Sequence, residues 1–119
     1  MNRSQQGREG EERASRFLEE QGYRIVRRNY RTRSAEIDII ADDRGTTCFV
    51  EVRSKGSDAY GSAEESITRA KRRKISAAAV QYLKETGKLD SSARFDVVSI
   101  SGTAAPELFK NAFELEGDI

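Results

Sequence analysis

Glu36-Ile37-Asp38-Ile39-Ile40 and Phe49-Val50-Glu51-Val52-Arg53, separated by the turn residues Asp42-Asp43-Arg44-Gly45, form the stretch whose reading decides the fold. Both runs have the apolar, β-branched character of strands, and a short connection ending in glycine makes them a hairpin from about Ala35 to Arg53. Side chains alternate along a strand, so Glu36 and Asp38 share one face while Ile37 and Ile39 share the other. Glu51, Arg53 and Lys55 likewise share a face. If Asp38 lies opposite Glu51, carboxylates and cations converge beside an apolar hairpin, an arrangement suited to holding a divalent metal against a phosphate. A one-residue slip would separate them, and the sequence leaves the register open. The competing reading is a solvated, ion-paired sheet face, because antiparallel sheets often keep one face wet.

Outward from the hairpin, the pattern alternates. Residues 5–21 read as a helix with Ala14, Phe17, Leu18 and Gln21 on one face and Gly22 as its stop; Glu11 falls on the inward stripe. Tyr23 to Arg31 reads as a strand whose imperfect alternation predicts a bulge or an early end. Residues 56–62 read as a loop. Ser62-Ala63-Glu64-Glu65 has capping-box spacing, predicting a long helix from Ser62 to Gly87 with Ile67, Ile75, Ala78, Ala79, Tyr82 and Leu83 buried and Arg69, Arg72 and Arg73 exposed. Phe95 to Ile100 supplies another strand, and Leu108 to Leu115 a final one at an edge. Together these elements predict an α/β fold, a single small mixed β-sheet flanked by helices, with residues 1–119 as one domain.

Composition bounds what such a domain does. Of 119 residues, 36% are hydrophobic and 34% charged, enough for one modest core under a densely charged surface. No apolar run is long enough to cross a bilayer and the first residues lack a signal-peptide apolar region, which predicts a cytoplasmic protein with no membrane partner. The single cysteine, Cys48, agrees with a reducing compartment, and the absence of histidine argues against zinc sites and histidine-based catalysis. A net charge of +1 conceals segregation of sign. Arg24, Arg27, Arg28, Arg31 and Arg33 form one basic block and Arg69, Lys71, Arg72, Arg73 and Lys74 another, whereas the tail after Pro106 is mainly acidic. Each block is either a plain solvated face or part of a polyanion-binding surface.

Gly7-Arg-Glu-Gly10-Glu11-Glu12-Arg-Ala14, Gly22-Tyr23, Arg28-Asn29-Tyr30-Arg31, the two hairpin runs, Thr68-Arg-Ala-Lys71 and Arg94-Phe95-Asp96-Val97 resemble the YraN-like family of predicted bacterial endonucleases. That family is similar in turn to archaeal Holliday-junction resolvases and the restriction-endonuclease-like superfamily, whose signature is an acid on one strand and Glu-x-Lys on the next. The resemblance implies a restriction-endonuclease-like fold and Mg²⁺- or Mn²⁺-dependent phosphodiester hydrolysis on nucleic acid, DNA above all and branched DNA among its forms. It implies Glu11, Asp38 and Glu51 as metal ligands, and Glu36 as part of the Gly-Glu-Ile-Asp pattern, here with Ala35 in place of glycine. Arg53 stands at the lysine position and, being permanently charged, is unsuited to general-base action. An electrostatic role at the phosphate suits it, and Lys55 shares its face.

Lys71, Arg72, Arg73 and Arg31 are candidate phosphate-backbone contacts, with the polar side of an amphipathic helix as the competing reading for the helical three. Tyr30 and Tyr60 are either core aromatics or base-stacking platforms. Asp96 reads as a structural partner and Cys48 as a packed hairpin residue. Three functional classes remain: a nuclease, a non-catalytic nucleic-acid-binding module on the same fold, and a scaffold with neither property. A homodimer is one option, implied by the resolvase-like relatives, although no dimer surface is legible.

Overall fold

The computed structural model describes residues 3–54 and 67–116. Its elements, in chain order, are α1 (Arg3–Glu20), β1 (Arg24–Arg31), β2 (Glu36–Asp43), β3 (Thr46–Ser54), α2 (Arg69–Glu85), β4 (Ala93–Ile100) and β5 (Glu107–Phe113). The strands make one mixed sheet in the order β1-β2-β3-β4-β5, with β3 and β4 parallel and the other pairs antiparallel. A parallel pair requires a crossover, and α2 lies within it.

The sheet is buried on both faces. Ala14 and Leu18 of α1 pack on Ile39, Ala41, Cys48, Val50, Val98 and Ile100. Ile75, Ala78, Ala79, Tyr82 and Leu83 of α2 pack with Tyr30, Ile40, Phe49, Phe95 and Phe113 on the other face. This accounts for the near-continuous apolar runs in β2 and β3, which a one-sided sheet would not need. Gly10 sits where α1 approaches β3, its missing Cβ only 3.3 Å from Ser54 Oγ. Tyr30 is a core aromatic, 3% exposed and edge-on to Tyr82 at 5.4 Å between centroids.

Local chemistry sets the boundaries. The chain leaves α1 through a Schellman turn in which the Tyr23 N–H donates to Leu18 O (2.9 Å) and Gly22 takes φ +95°. Gln21 stays exposed, outside the buried stripe expected for it. Arg44 and Gly45, at φ 51° and 96°, are the two central residues of the tight β2–β3 turn, whose primed geometry matches the twist of the strands. The bulge expected in β1 falls between Ile25 and Arg27 and leaves Val26 exposed.

Three expectations need correction. Helix α2 does not run unbroken from Ser62: Thr68 is its N-cap, its hydroxyl accepting the Lys71 N–H at 3.1 Å, so the first helical residue is Arg69. The proposed capping box at Ser62 and Glu65 lies outside the described residues, as do Lys55 and Tyr60. Arg72 is half-buried rather than on the exposed side, its guanidinium over the Phe113 ring at 5.3 Å and its Nε donating to Ile67 O at 3.1 Å. Strict alternation also fails in β2, because Ile37 joins the α2-side cluster and Ile39 the α1-side one. The switch falls where β2–β3 pairing ends, at Ile39–Val50, and beside Asn29 of β1, which takes φ 54°.

Candidate metal and nucleic-acid site

The open end of the β2–β3 hairpin carries the two central acids. One step past the last ladder pair, the same register would set Asp38 against Glu51; there Asp38 Oδ2 accepts the Val52 N–H at 2.8 Å, so a side chain does what the ladder no longer does. Glu51 points to the α2 side, 3% exposed, and one of its oxygens, Oε2, lies 3.2 Å from Lys71 Nζ. The other, Oε1, is buried with no hydrogen-bond donor among the described residues. Asp38, Glu51, Glu36, Lys71 and Lys74 line one cleft of about 490 Å³. A second cleft of about 550 Å³, lined by Arg8, Glu11, Asn29 and Arg31, meets it at Glu36.

The electrostatics of the pair are unusual for surface acids. Burial, then repulsion by Glu51, raises Asp38 from 3.8 to about 7, and the Val52 amide only partly opposes this. Burial also raises Glu51, with Lys71 and then Arg53 acting against it and Glu36 adding to it. Two adjoining carboxyls that both prefer their protons are poised to share a proton or to take a cation.

The remaining candidates sit around this pair. Both oxygens of Glu11 accept from Asn29 Nδ2 (3.2 and 2.9 Å), and Glu11 still lies near enough to raise Asp38. Glu36 is half-buried and faces Arg31 at 3.4 Å. Arg53 is half-buried on β3, while Arg73 and Lys74 are exposed on α2. Among the described residues, no three acids gather tightly enough to enclose a metal by themselves. Asp38 and Glu51 nevertheless fit a hard divalent ion in donor chemistry, since they offer only oxygen and Glu51 Oε1 has no other use. Two features were not legible from the sequence: the Lys71–Glu51 contact, and the Asn29 clamp on Glu11. The basic Thr68-Arg-Ala-Lys71 start of α2 was the one available signal for the first.

Beside the α1-side core, Asp96 is fully buried and structural, as expected. It accepts from Arg94 Nε (3.0 Å to Oδ1), from Tyr23 Oη (3.0 Å) and from the Asn111 N–H (2.9 Å). Arg94 also donates to Asp43 at 2.7 Å and holds that carboxylate below its usual range. Cys48 is buried among the α1-side core, which pushes its thiol up to about 12.

Sequence comparison bears on the whole of this region. The profile of a family described as "Uncharacterised protein family UPF0102" matches residues 10–100, a span that contains Glu11, Asp38, Glu51 and Lys71. A UPF0102 protein of Desulfosudis oleivorans is 53% identical over 113 residues, covering 94% of this chain and 92% of its own length. Another, from Persephonella marina, is 49% identical over 110 residues, covering 92% and 94% respectively. No helix of the described residues is long and apolar enough to cross a membrane. With the profile spanning strands β1 to β4 and both sides of the cleft, and with relatives matched over nearly their full length, the chain belongs to the UPF0102 family, the YraN-like family that its motifs resemble.

Proposed function

We propose that this chain is a metal-dependent, restriction-endonuclease-like protein that binds nucleic acid, DNA above all, and hydrolyses phosphodiester bonds. The observation that carries the reading is the pairing of half-buried Asp38 with fully buried Glu51 in a cleft edged by Lys71 and Lys74. A solvated ion-paired face would leave both acids exposed and each matched to a cation. Here burial raises both carboxyls, and one oxygen of Glu51 has no donor among the described residues. Such an arrangement opposes stability and is expected where chemistry requires it.

Magnesium or manganese bound by Asp38 and Glu51 would supply Lewis acidity, activating water and offsetting charge on the phosphate. Asp38 is oriented for this by the Val52 amide, and Glu11 lines the adjoining cleft on the α1 side while Asn29 holds its carboxylate. Arg53 contributes fixed positive charge beside Glu51. Lys74 and Arg73, exposed on α2, hold the phosphate backbone with sequence-independent, salt-dependent affinity.

One test is a cleavage panel over branched, duplex and single-stranded substrates with Mg²⁺ or Mn²⁺. Cleavage is expected for the native chain, with a loss of at least about a hundredfold in Asp38→Ala and Glu51→Ala. Equal rates in those variants would refute the site. A second reading, a binding module without cleavage, is favoured by Arg53 at the lysine position. It predicts binding that falls steeply with salt and no cleavage on any substrate.

A further inference from the structure

Lys71 occupies an electrostatically awkward place. It lies in the first turn of α2, which holds no acid and also carries Arg69 and Arg72, although the positive end of the helix dipole disfavours cations there. Its ammonium is directed at Glu51 Oε2, 3.2 Å away, and its side chain is 41% exposed while that of Glu51 is 4% exposed. Glu51 therefore spends one oxygen on a half-solvated cation and leaves the other, also buried, with no donor among the described residues. A permanently committed structural ion pair would satisfy both oxygens.

We infer that Lys71 is a place-holder for the metal: it neutralises Glu51 while the metal is absent, and when a divalent cation binds it is released to a phosphate of the nucleic acid. The inference rests on the metal-dependent reading above. It deepens that reading by coupling the two ligands. Metal binding frees Lys71 for phosphate, and phosphate draws Lys71 away from Glu51, so each ligand favours the other by the same factor. Lys74 lines the same cleft without being paired to Glu51, and it is the internal control for general positive charge.

The experiment measures Mn²⁺ affinity of the full DNA-free chain by calorimetry, and affinity for a DNA duplex in Mn²⁺ by fluorescence anisotropy. The proteins compared are the native chain, Lys71→Met, Lys71→Gln and Lys74→Met; the glutamine variant keeps a donor for Glu51 should the methionine variant fold poorly. Removing the competitor is expected to tighten Mn²⁺ binding about tenfold in the Lys71 variants and about twofold or less in Lys74→Met. DNA binding in Mn²⁺ should weaken in all three. Lys71 variants that bind Mn²⁺ no tighter than Lys74→Met, while Asp38→Asn weakens it, overturn the place-holder and leave the metal site standing. Absence of Mn²⁺ binding by every protein overturns both.

Discussion

Replacing Asp38 with asparagine should stabilise the protein at neutral and alkaline pH, even though it removes a proposed metal ligand. Burial and the adjoining Glu51 raise the Asp38 carboxyl from 3.8 to about 7 in the folded chain. Between those values the native state holds a proton that the unfolded chain has released, so unfolding free energy falls as pH rises. The stabilising contribution is complete below the unfolded value and is lost as pH passes through the folded one. A separation of that size, at about 1.4 kcal/mol per pH unit, corresponds to at most about 4.5 kcal/mol, and relaxation around the charge reduces it. Asparagine has nearly the same shape, presents an oxygen to the Val52 N–H and has no charge to bury. Urea unfolding followed by circular dichroism across about pH 4 to pH 8.5 should show the variant more stable by about 2–4 kcal/mol at the upper end, and nearly equal to the native chain at the lower. Added Mg²⁺ should then stabilise the native chain and leave the variant unchanged. A difference that is absent at high pH, or that is the same at every pH, would refute the claim that the folded chain carries the Asp38 charge at a cost.

Other consequences follow from the same geometry. Arg94→Met should destabilise the fold by about 3–5 kcal/mol in urea titration, because it strands the buried carboxylates of Asp43 and Asp96; adding Asp96→Asn to it should recover part of that loss. Thr68→Ala removes the acceptor for the Lys71 N–H and should cost about 1 kcal/mol, while Thr68→Ser should be close to neutral; denaturation midpoints measure both. Mn²⁺ affinity measured by calorimetry should fall as pH drops below the raised Asp38 value of about 7, since metal and proton compete for the same carboxylate; a flat profile between about pH 5 and pH 8 would contradict that.

The hairpin was legible because its determinants are local. Arg44-Gly45 supplies the primed turn, and β-branched residues fill both strands. Once the turn is fixed, the register that brings Asp38 toward Glu51 follows from it. The disrupted alternation of β1 likewise announced its bulge. What escaped was set by distant partners. Ser62-x-x-Glu65 has capping-box spacing, yet Thr68 caps α2, and spacing alone does not distinguish two plausible starts on one amphipathic pattern. The contact between Lys71 and Glu51 depends on where α2 lands after crossing the sheet, and no local periodicity encodes that. The alliance of Tyr23, Asp43, Arg94 and Asp96 joins three strands or strand ends, so only the buried acid of Arg94-Phe95-Asp96 hinted at it. Glu11 was correctly set on the inward stripe, but its anchor, Asn29, acts through a left-handed backbone at φ 54° that sequence pattern does not reveal.

The chain's lone thiol lies wholly within the layer between α1 and the hairpin, where burial pushes it up to about 12 and no reagent reaches it without that layer parting. A sulfhydryl reagent added in native buffer would therefore modify Cys48 at a rate set by how often α1 lifts from β2 and β3. The molecule thus contains a built-in chemical clock for the opening of one half of its core. Run with and without divalent ions, that clock would register ligation on the far side of the sheet with no substitution introduced.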